Sequence, residues 1–147
     1  MNLFGVMDIS ASALKAERVR AEVVASNMAN AETTKTADGG PYRRQHVLFA
    51  EALGSQMQGF GASMAAGGGT ASGGVEVAGV IEDQGAPLMR FDPGHPDAGA
   101  DGYVAYPDIN PLTEMVDLMG ATRAYGMNAS AVQAEKGMLS SSLDLLK

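Results

Sequence analysis

The stretch NPLTEMVDLMGATRAYGMNASAVQAEKGMLSSSLDLL, residues 110–146, decides the fold of this 147-residue chain. Asn110 can cap a helix, Pro111 suits a first helical position, and Glu114 places negative charge near the positive end of the helix dipole. Apolar residues then recur at heptad spacing, so the sequence predicts one helix over residues 111–146. Such a helix is ~50 Å long, whereas a compact domain of this size is about 40 Å wide. We therefore expect the helix to protrude and to need a partner.

A second helix is predicted over residues 7–30, with Asp8 or Ser10 as its N-cap. It is expected to end near Asn27 and Asn30, because asparagine accepts the left-handed conformation found at helix C-termini. The two helices are predicted to pair as a coiled coil along an apolar seam, which is also the predicted subunit interface. The seam consists of Met7, Leu14, Ala21, Val24 and Met28 in the first helix and Met115, Leu118, Tyr125, Val132, Leu139, Leu143 and Leu146 in the second.

Three glycines, Gly120, Gly126 and Gly137, interrupt the second helix outside this seam. Each costs about 1 kcal/mol of helix stability relative to alanine. Two interpretations stay open at this point. The glycines lie on a solvated face without consequence, or neighbouring chains approach closely there and the helix is weak until assembled.

Between the helices the chain changes character, since all six prolines fall between residues 41 and 111. Short alternating segments predict strands, namely QHVLF (45–49), VEVAGVI (75–81), PLMRF (87–91) and GYVAY (102–106). Residues 54–74 contain eight glycines and no charge, which is typical of a flexible loop. The predicted fold class is α+β. Its predicted domains are a helical coiled-coil core of residues 1–36 plus 109–147, and a β-rich outer segment of residues 37–108.

Charge and composition exclude several classes of protein. The net charge of −7 argues against a nucleic-acid surface, and residues 75–108 carry seven acidic side chains against Arg90 alone, a net of −6. The absence of cysteine removes disulfides and thiolate sites. No run of about 18 apolar residues predicts a membrane span, and the N-terminus lacks the basic region of a cleavable signal peptide.

The sequence offers one candidate constellation for chemistry, the segment DPGHPD with Asp92, His95 and Asp97. Carboxylate and imidazole groups are suitable ligands for a divalent metal ion, which leaves a metal-dependent hydrolase as an alternative. The prolines and the glycine there favour tight turns instead, where aspartate caps the backbone. We therefore predict no catalytic residue, no metal site and no cofactor. The pair Arg43-Arg44 is interpreted as a solvated entry to a strand.

The stretch SNMANAETTKT, residues 26–36, closes the first helix with two asparagines. Asn27 and Asn30 can bond backbone groups at the helix end and turn the chain outward. We interpret them as an architectural hinge between the helical part and the β-rich part.

These motifs, ASNMANAETT, DGGPYRRQHVLFAE, GYVAYPDINPLTEMVDLM and ATRAYGMNASAV, resemble those of bacterial flagellar basal-body rod proteins, and more narrowly the FlgC-type proximal-rod family. The resemblance covers residues 1–53 and about 75–147. It implies a structural subunit that leaves the cell through the flagellar type III export apparatus, without a cleaved signal, and assembles into the rod crossing the periplasm. The implied partners are its own copies and other rod proteins. A soluble coiled-coil adaptor, or another flagellar axial protein of the rod or hook, is the alternative.

Overall fold

A computed structural model describes residues 3–37, 39–52 and 73–145 of the chain. Two helices, α1 (Leu3–Ala29) and α2 (Pro111–Asp144), flank four strands: β1 (Gln45–Glu51), β2 (Val75–Glu82), β3 (Leu88–Phe91) and β4 (Tyr103–Tyr106). The α+β class and all four strands are as the sequence predicts. Residues 54–72 of the glycine-rich segment and Leu146 of the predicted seam lie outside the described residues.

Helix α2 begins as its capping signals indicate. The Asn110 side chain accepts a hydrogen bond from the Leu112 backbone N–H at 3.0 Å, and Pro111 is the first helical residue. Helix α1 differs, since it begins at Leu3, and the predicted caps Asp8 and Ser10 lie inside it. That prediction was wrong because extending an existing helix costs far less than nucleating one, so α1 continues upstream of both residues. Within the described residues, neither helix is long and apolar enough to cross a membrane.

The strands form two separate two-stranded sheets. Strands β1 and β2 pair in one, and β3 and β4 pair antiparallel in the other, with Leu88 opposite Tyr106 and Phe91 opposite Tyr103. Gly102 precedes β4 with a φ of +73°, and a Cβ atom there would lie 2.9 Å from the Phe91 ring. Only glycine fits this position, because both the conformation and the space exclude a side chain.

The chain divides into two compact units, to which α1, β1, β2 and α2 each contribute. Unit 1 comprises residues 1–19, 49–78 and 122–147, and unit 2 comprises residues 20–48 and 79–121. The buried apolar residues of unit 2 are Val24, Val104, Ile109 and Ala121. In unit 1, Ala16 is buried, as are the polar residues Ser10 and Glu135. The domain boundaries expected from the sequence stay a prediction.

Candidate functional site

Asn27, in the last turn of α1, is the centre of a buried polar cluster in unit 2. Its side chain is 1% exposed. The amide nitrogen donates to the Gln45 carbonyl at 2.9 Å and to Glu114 Oε2 at 3.1 Å. The amide oxygen accepts from the Gln45 N–H at 2.9 Å and from the Tyr42 hydroxyl at 3.1 Å. All four hydrogen bonds that an asparagine side chain normally makes are therefore satisfied.

Glu114, in the first turn of α2, is the anionic member of this cluster. It is 1% exposed, and its Oε1 atom accepts from Arg44 Nε at 2.7 Å. A buried carboxylate is tolerated only when a cation and further donors compensate for the lost water, and Arg44 and Asn27 supply them. Around it, Asp117 forms an ion pair with Arg20, with 3.3 Å between Oδ1 and Nη2. We call Asn27, Tyr42, Arg44, Gln45 and Glu114 the Asn27 junction.

The loop after α1 folds back onto the helix end through its own side chains. The Asn30 amide donates to the Ser26 carbonyl at 2.9 Å, and the Thr33 hydroxyl donates to Asn30 Oδ1 at 3.2 Å. The Tyr42 backbone N–H then donates to the Thr33 carbonyl at 3.0 Å. These bonds carry the chain from the end of α1 to the start of β1.

The two predicted hinge residues have different tasks. Asn27 does not bond the end of its own helix but holds the first residue of β1 and the first turn of α2. Asn30 bonds its own helix end, as expected. Neither adopts the left-handed conformation, since every described residue with positive φ is a glycine. That expectation was wrong because side-chain hydrogen bonds satisfy the helix end without it. The role of both residues as a hinge stays a prediction.

The predicted interface residues differ widely in exposure in the single chain. Val24 is buried. Those that are half-buried are Met7, Leu14, Ala21, Met28, Leu118, Val132 and Leu139, and those that are exposed are Met115, Tyr125 and Leu143. Their assignment to a subunit interface stays a prediction.

Sequence reasoning missed the charged members of the Asn27 junction. Arg44 was interpreted as solvated together with Arg43, yet it is partly buried against Glu114. Glu114 was expected to act on the helix dipole, yet its side chain turns into unit 2. The two residues are 70 positions apart, and no local pattern marks them as a pair.

The segment DPGHPD forms turns rather than a metal site. Asp92 Oδ1 accepts the Gly94 N–H at 3.3 Å, and His95 Nδ1 accepts the Asp97 N–H at 3.1 Å. Asp97 Oδ2 accepts the Thr34 hydroxyl at 2.8 Å. Over residues 3–37, 39–52 and 73–145, no group of three histidine, cysteine or acidic side chains is placed to hold a metal ion.

Two family models match the chain in its helical regions. The model described as flagella basal body rod protein matches residues 7–35, which include Asn27. The model described as flagellar basal body rod FlgEFG protein C-terminal matches residues 100–145, which include Glu114. The two matches therefore cover both helical partners of the Asn27 junction.

Similar proteins extend over the whole chain. A flagellar basal-body rod protein FlgC of Bacillus subtilis is 42% identical, with 100% of both chains covered. The FlgC proteins of Salmonella typhimurium and Borreliella burgdorferi are 39% and 36% identical, and each alignment covers at least 98% of either chain. Identity at this level over full length, together with the two family models, shows that the chain belongs to the FlgC family of flagellar basal-body rod proteins.

Proposed function

We propose that this chain is a structural subunit of the flagellar basal-body rod that assembles with its own copies and with other rod proteins. The observation that carries the proposal is the inverted polarity of α2. Two of its four acidic residues, Glu114 and Glu135, are buried, while Val116 is 58% and Met127 is 69% exposed. A helix of a stable monomer has the opposite arrangement, with its apolar stripe turned inward.

Several of the exposed apolar side chains of α2 share one side of the helix. In its first turns they are Leu112, Met115, Val116 and Met119, at the spacing of three and four residues that places them on one face. Exposed apolar patches rimmed by polar residues mark interaction surfaces. We infer that neighbouring subunits cover this face in the rod.

The first half of α2 already has one helical partner within unit 2. The ion pair between Arg20 and Asp117 and the hydrogen bond between Asn27 and Glu114 tie it to the second half of α1. Since the partner position decreases along α1 as the chain advances along α2, these portions run antiparallel. We propose that the helices pair as a coiled coil in the assembled rod, with the apolar seam at subunit contacts.

Open-ended growth is the property that separates a rod subunit from an adaptor. Contacts between different faces of identical subunits, if they do not close into a ring, produce filaments. We propose export through the flagellar type III apparatus without a cleaved signal, followed by assembly in the periplasm. A coiled-coil adaptor would instead form a closed complex of fixed stoichiometry.

Light scattering and electron microscopy of the purified chain, alone and with other proximal-rod proteins, test this function. We expect growth that continues with concentration and ends in filaments. Val116→Asp and Met127→Asp should suppress growth because they place a charge on the covered face, whereas Thr113→Asp, at an exposed polar position of α2, should not. A closed complex of small size, insensitive to Val116→Asp, would contradict the proposal.

A further inference from the structure

Helix α2 carries two buried carboxylates at equivalent heptad positions. One has hydrogen-bond partners for both oxygens, and the other has an oxygen without a partner among the described residues. Glu114, Ala121, Asn128 and Glu135 follow one another at intervals of seven residues. Glu114 is compensated by Asn27 and Arg44 in unit 2. Glu135, in unit 1, is 4% exposed, and its Oε2 atom is buried without a hydrogen-bond donor in the described structure.

A carboxylate in this situation destabilises the isolated chain. Removing a charge from water without providing a cation or donors costs more than any packing gained by its methylene groups. An unsatisfied buried group of this kind calls for a partner that the described residues do not provide. A rod subunit can meet such a partner in the assembled state.

Arg123, about 120° around the same helix from Glu135, is a cation that lacks an anionic partner among the described residues. Its side chain is exposed among the apolar and small residues of the outward face, with Gly120 and Met127 one turn away on either side. It forms no ion pair within the described part of the chain. If a neighbour covers this face, Arg123 loses its water and needs an anion, as Glu135 needs a cation.

We propose that Arg123 of one copy forms an ion pair with Glu135 of a second copy when subunits assemble. This inference rests on the proposed function and names the contact that the α2 face makes. An arginine suits the position because its planar guanidinium can donate two parallel hydrogen bonds to a carboxylate. Within the chain, Arg44 already places its Nε and Nη2 atoms against Oε1 of Glu114. Because Glu135 is buried in the single chain, unit 1 repacks around α2 when the pair forms.

The pairing is compatible with open-ended growth. The two residues are 12 positions apart on one helix, which is about 18 Å along its axis. When the pair forms in a heterologous contact, each copy keeps one free Arg123 and one free Glu135 for the next neighbour. A symmetric dimer would use both at once and stop.

Charge reversal tests the pair in the polymerisation assay with the full chain. Arg123→Glu and Glu135→Arg should each reduce the rate of polymerisation about tenfold or more, since each places like charges in a desolvated contact. The double variant restores the pair with reversed sign, so we expect its rate to return to within about threefold of wild type. Lys136→Glu, which reverses an exposed charge next to Glu135, is the matched control and should have little effect.

A second measurement covers the case in which Glu135→Arg does not fold. Glu135→Gln removes the buried charge with little change of volume, so the urea midpoint of the isolated chain should rise while polymerisation falls. A lower midpoint would mean that Glu135 is already compensated in the single chain, which overturns the inference. A double variant no better than the single ones, in an assay where wild type polymerises, overturns it while leaving the proposed function intact. Failure of the wild-type chain to polymerise overturns both.

Discussion

Replacing Asn27 by alanine removes a side chain of α1 that bonds both β1 and α2. The substitution deletes hydrogen bonds to both backbone groups of Gln45, at 2.9 Å each, and to the Tyr42 hydroxyl at 3.1 Å. It also deletes one donor to the buried carboxylate of Glu114. Asn27 and Glu114 are each 1% exposed, so solvent does not readily replace the lost amide.

The cost follows from these four bonds. Neutral hydrogen bonds contribute about 1 kcal/mol each and a bond to a charged group about 1.5–3 kcal/mol. Their sum is about 5 kcal/mol, and partial relaxation of the site lowers the expected loss in the free energy of unfolding to roughly 3–5 kcal/mol. With a typical urea dependence of about 2 kcal/mol per molar, the unfolding midpoint should fall by about 2 M.

Asn30→Ala is the matched control, since Asn30 is three residues away and makes only local bonds. Its side chain bonds Ser26 and Thr33 and is partly exposed, so we expect a loss of about 1 kcal/mol. Urea titrations of both variants, followed by circular dichroism, measure the difference. If Asn27→Ala costs no more than Asn30→Ala, the Asn27 junction does not hold the three segments together and our reasoning about it is wrong.

Three further outcomes follow from the same structure. Glu114→Gln should lower the free energy of unfolding by about 3 kcal/mol in a urea titration, because the partly buried Arg44 loses its counter-charge; an unchanged midpoint would contradict the ion pair. Gly120→Ala and Gly126→Ala should each raise the stability of the isolated chain by about 1 kcal/mol, since an added Cβ meets nothing within 4 Å, and thermal melts monitored at the helix band detect this. His95→Ala should leave swimming in soft agar intact, and loss of motility would revive a metal-dependent function.

Membership in the FlgC family confirms the prediction of a structural rod protein rather than an enzyme. That prediction rests on motifs near the helix ends and on the turn-forming character of the one candidate constellation, DPGHPD. The motifs GYVAYP and PLTEMVDL contain β4 and the start of α2. The residues that resemble the family therefore lie in the segment that leads from β4 into the second helix. The segment DPGHPD shows that residue types alone do not identify a metal site. Its Asp92 and His95 side chains instead accept backbone hydrogen bonds within turns.

The sequence by itself determined the presence of both helices and all four strands and the cap at Asn110, although not the start of α1. Proline positions, heptad spacing and alternation act within a few residues, so their effects are visible without the tertiary structure. Only the tertiary structure decided which polar side chains are buried and what they bond. Asn27 meets Glu114 across 87 positions and Arg44 meets it across 70, and no local preference encodes such a distance. For the same reason, the sequence does not predict that Glu135 is buried and Val116 exposed. Burial depends on what packs against a helix, and the sequence of the helix alone does not contain that information.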